Sequence, residues 1–206
     1  MLCLSTAAGA PAIPDTTLYV PSDAACWWRD RRGSLPDGPF AVLAVTSRWV
    51  SKAWPSAHWA QLAERLVQAG RVKWVMLPGS GPEQDAVAVV ADAMRARGIE
   101  AVACAGQTDV GQLMATIDAA AFTVSNDSAA LHMALGLGAR CLGLYGPTDP
   151  AIVGPWGRPD LAIRSPLKAG ERPAYRDRRI GDSIMQRLEV DAVFHRIAEL
   201  AETWSR

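Results

Sequence analysis

The sequence predicts an α/β fold: a Rossmann-like parallel sheet with flanking helices. Two observations carry that reading. From Phe40 onward, apolar runs of strand length alternate with amphipathic stretches of helix length. Every link between successive runs is also long enough to hold a crossover helix, as parallel neighbours require.

The first strand is the unbroken apolar run Phe40 to Val45, which suits a strand buried on both faces. A helix follows Pro55, because Trp59, Leu62, Ala63, Leu66 and Val67 recur at helical spacing until Gly70. Val72 to Leu77 is the second strand, and Pro78-Gly79-Ser80-Gly81-Pro82 a loop. Glu83 opens a helix that runs to about Arg97, closed by Gly98. Ala101 to Ala105 forms a third strand and Val110 to Ala120 a third helix, with Leu113, Met114 and Ile117 on one face. Phe122 to Ser125, Ser128 to Leu137 and Arg140 to Tyr145 complete the alternation as strand, helix and strand.

The ends read differently. Residues 1–39 carry Pro11, Pro14, Pro21, Pro36 and Pro39, with a short helix expected around Asp23 to Arg32. Residues 147–181 are rich in proline, glycine and arginine, which predicts a loop with one short strand at Leu161 to Arg164. A last helix is expected from Asp191 to Thr203, on the stripe of Val193, Phe194, Ile197, Leu200 and Ala201. The division that follows is a leading segment, 1–39, and a Rossmann-like α/β domain, 40–206.

Composition narrows the function. Half of the 206 residues are hydrophobic and 21 basic side chains balance 21 acidic ones, which excludes intrinsic disorder. The same balance argues against nucleic acid as a partner, since no global positive field is present to release counterions. No apolar run reaches the roughly 18 residues of a transmembrane segment. The small-residue opening Met1 to Ala10 lacks the basic start of a signal peptide. Cys3, Cys26, Cys104 and Cys141 form no C-x-x-C pair, and read as reduced thiols of a cytoplasmic protein. His58, His132 and His195 are too dispersed for a metal site, so neither a metal nor a cofactor is expected.

Chemistry in an open parallel sheet sits beyond the carboxyl ends of the strands. Those ends carry Thr46-Ser47-Arg48, Pro78-Gly79-Ser80-Gly81, Ser125-Asn126-Asp127-Ser128 and Gly146-Pro147-Thr148-Asp149. Ordinary turn composition explains any one of these loops, but four on the same edge point to a site. At Asp127-Ser128-Ala129-Ala130 a buried strand meets a capped helix start lined with small residues. Such a start offers partial positive charge and free N–H donors to a phosphate, although a plain capped helix has the same sequence. Lys52 lies on the loop after the first strand, within reach of an anion there or simply solvated. His132 falls on the first turn of the fourth helix, in a structural or a chemical role. A dinucleotide fingerprint fails because Gln84 stands where the third glycine belongs, and neither a P-loop nor a G-x-S-x-G elbow occurs. No aspartates stand at i, i+2, so a D-x-D metal clamp on a diphosphate is absent.

Together these residues resemble glycosyltransferase family 9, the heptosyltransferases of lipopolysaccharide biosynthesis, from about Phe40 to the C-terminus. The resemblance rests on Thr46-Ser47-Arg48 with Lys52-Ala53-Trp54-Pro55 and His58-Trp59, then Leu77-Pro78-Gly79 leading to Glu83. It continues through Ser125 to His132 and Tyr145-Gly146-Pro147-Thr148-Asp149-Pro150, with Met185, Leu188, Val190 and Val193 as a closing motif. It implies the C-terminal domain of a GT-B glycosyltransferase, which binds a nucleotide-diphosphate sugar of the ADP-heptose kind and transfers the sugar with inversion and without metal. Lys52 and Asp127 are then catalytic, Lys52 on the donor phosphates and Asp127 on the transferred sugar. Thr46, Ser47, Ser128, Ala129 and Ala130 bind substrate, Glu83 holds the ribose, and His132 sits beside the diphosphate or braces its loop. The acceptor is a glycan or lipid-linked glycan, and the location cytoplasmic or peripheral at the inner membrane. Residues 1–39 resemble the end of an acceptor domain with its interdomain linker, so a separate acceptor half is a further expected partner, and transfer is expected to need it. Two positions depart from the family: Ala129 stands where it has glycine, and Ile184 where it often has cysteine.

Two other functions compete. A non-catalytic nucleotide-binding or interaction module could use the same fold. A flavodoxin-like signalling domain would need an acidic pocket at the end of the first strand, where Thr46, Ser47 and Arg48 stand. A domain lacking its acceptor half is also expected to expose an apolar edge, with Trp49 and Trp54 lining an open cleft.

Overall fold

Six parallel strands, in the order β3-β2-β1-β4-β5-β6, form a single sheet in the computed structural model, which describes residues 15–171 and 183–204 together with residues 7 and 9. The strands are β1 (Phe40–Ala44), β2 (Trp74–Leu77), β3 (Ala101–Ala103), β4 (Phe122–Asn126), β5 (Cys141–Tyr145) and β6 (Ala162–Arg164). The order reverses between β1 and β4, which is the switch point at which doubly wound sheets open a crevice. Ala44 pairs with Ser125 at that point, so the loops after β1 and β4 leave the sheet side by side.

Seven helices surround the sheet among the described residues that carry named elements. They are α1 (Ser22–Arg32), α2 (Ser56–Gln68), α3 (Gln84–Arg95), α4 (Val110–Ala119), α5 (Ala129–Gly136), α6 (Pro150–Val153) and α7 (Val190–Thr203). Helix α2 packs against α3 and α7 on one face, while α4 packs against α1 and α5 on the other. The central strands β1, β2, β4 and β5 are buried at every position, as expected when both faces are covered. Helix α2 turns Trp59, Leu62, Ala63 and Leu66 inward and is held at its end by Arg71 N–H donating to the Leu66 carbonyl (3.0 Å). Full burial of each such large apolar side chain is worth about 1.5–3 kcal/mol.

Close approach of α5 to the sheet depends on a glycine. A Cβ at Gly143 of β5 would collide with the Leu131 side chain of α5 and the Tyr145 ring. Without that Cβ, α5 lies directly on β4 and β5, and its first turn reaches the switch point.

Several boundaries shift from the sequence expectation. The third strand ends at Ala103, because Cys104 and Ala105 turn away toward Gly106, whose φ of +71° no other residue type adopts easily. Glu83 lies in a 3₁₀ turn, Gly81–Glu83, and α3 proper starts at Gln84. The region expected as loop and strand also contains α6 and a 3₁₀ turn at Pro159–Leu161. The stretch ahead of β1 packs on the domain that follows it: α1 lies on α4, the Trp28 ring packs at a tilt against Phe40, and Leu18 N–H donates to Gly136 O (2.7 Å). The opening decapeptide apart from residues 7 and 9, with Cys3, and the arginine-rich part of the late loop at 172–182 lie outside the described residues.

Candidate functional site

The predicted site residues and their supports come from the loops after β1, β2, β4 and β5. The loop after β1, residues 46–54, carries Thr46, Ser47 and Lys52, with a 3₁₀ turn at Val50–Lys52. Both ends of this loop are held by one buried side chain, Asn126 of β4. Its amide Nδ2 donates to Val45 O (2.8 Å), and its Oδ1 accepts from Trp54 N–H (3.1 Å). Trp54 is 2 % exposed and does not line the cleft, contrary to the sequence expectation. Its indole N–H donates to Leu188 O (2.8 Å) and its ring meets Trp59 edge-on, so it anchors the loop from beneath. Trp49 stays at the surface and lines the cleft.

Across from that loop, Lys52 Nζ lies 2.7 Å from Asp127 Oδ2, with both side chains largely buried. The Thr148 hydroxyl donates to the same oxygen at 2.9 Å. Ser47 Oγ donates to the Asp127 main-chain carbonyl at 3.4 Å. The carboxylate thus receives one bond from a charged donor and one from a neutral donor, on two different loops.

Ser128 is the N-cap of α5, with extended φ/ψ of −149° and 173°, yet its hydroxyl does not cap the helix. It lies 2.8 Å from Ser125 Oγ, which itself donates to Asn126 O. Among the described residues, the first N–H groups of α5, at Ala129 and Ala130, therefore meet no side-chain acceptor. A helix start left in that state concentrates donors and partial positive charge.

On the opposite side of the mouth, Glu83 Oε2 accepts from Ser80 N–H (2.7 Å) and from Ser80 Oγ (2.6 Å). Partial burial pushes this carboxyl up, but the two Ser80 bonds and one from the Thr46 hydroxyl outweigh it and hold the pKa below its ordinary value.

These groups enclose one cleft of about 490 Å³, lined by Thr46, Ser47, Lys52, Glu83, Asp127, Ser128, Ala129 and Ala130 among others. Its size suits a drug-sized or nucleotide-sized ligand. Eight of the nine sequence-predicted site residues thus converge in one place. His132 is the exception. It is exposed on α5 and faces a separate cavity of about 190 Å³ with Thr16, Trp156 and Arg158. Ala129 and Ala130 reach the cleft because they are the first residues of α5, whereas His132 lies further along the helix and lines the other cavity. Sequence reasoning missed the far wall, Thr108, Asp109, Val110 and Leu113, and the supporting roles of Asn126, Thr148 and Ser80. Among the described residues no three His, Cys, Asp or Glu side chains gather to hold a metal ion. No helix among them is long and apolar enough to cross a membrane.

Fold and cleft together define a doubly wound α/β domain with a ligand-sized crevice at its switch point. The chain belongs to glycosyltransferase family 9, the heptosyltransferase family, whose family model matches residues 18–179. It is 30% identical over 133 residues to lipopolysaccharide heptosyltransferase 1 of Pseudomonas aeruginosa, an alignment covering 63% of this chain and 35% of that protein. Lipooligosaccharide heptosyltransferase 2 of Haemophilus ducreyi is 34% identical over 121 residues, covering 55% of this chain and 33% of its own length. Among solved structures, the Escherichia coli ADP-heptose lipopolysaccharide heptosyltransferase II superposes with a TM-score of 0.71 at 21% identity, over 91% of this chain and 54% of that one. An E. coli heptosyltransferase solved with ADP gives 0.63 at 23% identity, over 95% of this chain and 53% of the other. The chain thus spans about a third of these curated relatives and about half of these solved structures.

Proposed function

We propose that this chain is the donor-binding half of a heptosyltransferase-type glycosyltransferase, with a nucleotide-diphosphate sugar of the ADP-heptose kind as its ligand. The observation that carries the reading is the uncapped start of α5, open to the cleft between Lys52 and Ser128. A diphosphate placed there receives main-chain N–H groups from Ala129 and Ala130, the Ser128 hydroxyl and the Lys52 ammonium. Glu83, held as a carboxylate, is an acceptor for ribose hydroxyls, and Asp127 an acceptor for hydroxyls of the sugar.

Transfer breaks the bond between the anomeric carbon and the diphosphate while the acceptor hydroxyl attacks from the opposite face, inverting that carbon. Negative charge grows on the departing diphosphate, and the ammonium and helix N–H groups are already aimed at it. In this reading they neutralise the leaving group without a metal ion. A base must also take the acceptor's proton. We assign that base, and the glycan or lipid-linked acceptor, to a separate acceptor unit, a reading supported by the chain's span of about half the solved relatives. The reaction then belongs to lipopolysaccharide-type glycan assembly at the cytoplasmic side of a membrane.

Calorimetry with ADP-heptose and with ADP tests the reading. The chain is expected to bind both and to prefer the sugar nucleotide; Asp127→Ala is expected to remove the preference. Lys52→Ala is expected to weaken both by about tenfold, the scale of one charge-assisted contact. Equal affinity for the two ligands would favour a non-catalytic nucleotide-binding module, and no binding of either would end the donor-site reading.

A further inference from the structure

The donor-site chemistry assigns no step to the loop Gly146-Pro147-Thr148-Asp149, although Thr148 supports Asp127. Asp149 is structural: its carboxylate caps α6 through Ala151 N–H (2.9 Å) and lies 3.3 Å from Arg164. Those contacts fix the backbone beside Thr148, which is buried and delivers its hydroxyl to Asp127 Oδ2 at 2.9 Å. Lys52 approaches the same oxygen at 2.7 Å. With both donors on Oδ2, Oδ1 carries no hydrogen bond among the described residues, and Asp127 lines the cleft. One carboxylate on β4's end is thereby gripped from the loops after β1 and β5.

We propose that Thr148 is a positioning residue that keeps Asp127 aimed at the donor sugar once the nucleotide is bound. The inference rests on the donor-site reading above. Arrival of the nucleotide changes the demand on Lys52. In that reading its ammonium serves two anions, Asp127 and the diphosphate, and the stronger charge draws it toward the phosphates. An aspartate gripped by Lys52 alone would then lose its orientation as the ligand arrives. Thr148 is neutral, buried and tied to β5, so the diphosphate does not compete for it. Its bond holds the Asp127 rotamer in both states, leaving Oδ1 for a sugar hydroxyl.

The test is the ratio of the ADP-heptose and ADP affinities, measured by calorimetry on the full chain carrying Thr148→Val, which keeps shape and removes the donor. The preference for the sugar nucleotide is expected to fall by about fivefold to tenfold, while ADP affinity changes by less than about twofold. Thr148→Ser, which restores the hydroxyl, is expected to recover the preference. A Thr148→Val chain that keeps the wild-type ratio overturns the inference and leaves the donor-site reading standing. Equal loss of both ligands also overturns it, since Thr148 would then be supporting the cleft in general. A wild-type chain that binds neither ligand removes both proposals. Thr148→Ala, with its thermal unfolding midpoint, serves the same comparison if the valine variant fails to fold.

Discussion

Glu83 meets two demands at once, as a helix-start carboxylate and as a wall of the cleft. Its bonds from Ser80 close a capping box at the Gly81–Glu83 turn. They hold its pKa below the ordinary 4.5. The sign follows from linkage: a group with a depressed folded pKa adds stability that is complete above its unfolded value. That stability is lost as pH falls through the folded value. Glu83→Gln is therefore expected to be less stable than the wild type at pH 7, by only about 0.5 kcal/mol, because the carboxylate is partly buried and solvent screens its bonds. Urea unfolding repeated at decreasing pH is expected to show the gap closing below pH 4.5. A gap that stayed constant with pH would mean that the charge contributes nothing. Lys52, Asp127 and Glu83 were legible in the sequence because each stands in a polar loop at a strand's end. Thr148 and Ser80 were not assigned roles, because a hydroxyl in a turn rich in glycine and proline looks the same whether or not it bonds a carboxylate. Thr148 meets Asp127 across 21 residues only because β4 and β5 are neighbours, a pairing that composition does not reveal.

At the scale of elements, the alternation of apolar runs and amphipathic stretches located β1 through β5 and their helices to within a few residues. Strand order and the side-by-side exit of the β1 and β4 loops were not readable from periodicity. Those features follow from which strands pair. The most instructive miss is Asn126: the strand expectation stopped at Ser125, yet β4 continues through a fully buried asparagine. A polar side chain in such a place must satisfy its hydrogen bonds, and it does so on both ends of the Lys52 loop. Asn126→Leu is expected to leave Val45 O and Trp54 N–H without their partner, at a cost of about 2–3 kcal/mol for two buried groups. Guanidinium unfolding checks the loss. Nucleotide affinity of the folded variant is expected to fall as well, because the loop that carries the ammonium is no longer clamped. The helix α5 start shows a related limit: the sequence predicts a serine cap, whereas Ser128 turns to Ser125 and leaves the helix N–H groups open.

Over the whole molecule, burial separates the thiols by reactivity. Cys104 and Cys141 are buried, and desolvation pushes their pKa values up to about 11 and about 12, so neither offers a thiolate near neutrality. Cys26, on the outer side of α1, is exposed. In native protein an alkylating reagent is expected to label Cys26 quickly, and Cys104 and Cys141 only at the rate of unfolding. Peptide mapping by mass spectrometry against time distinguishes them. Early labelling of Cys141 would show that β5 opens without global unfolding. The expected apolar edge is present in part: Trp49, Val50 and Val110 are exposed near the cleft, whereas Trp54 is enclosed.

That enclosure has a consequence for how the molecule comes into being. The indole of Trp54 is tied to the carbonyl of Leu188, 134 residues later in the chain. On the ribosome, the segment bearing Lys52 emerges before five of the six strands and stays without its lower anchor until the whole sheet has been synthesised. Fastening of that loop is thus a late step of assembly, made when the polypeptide returns to a segment synthesised 134 residues earlier.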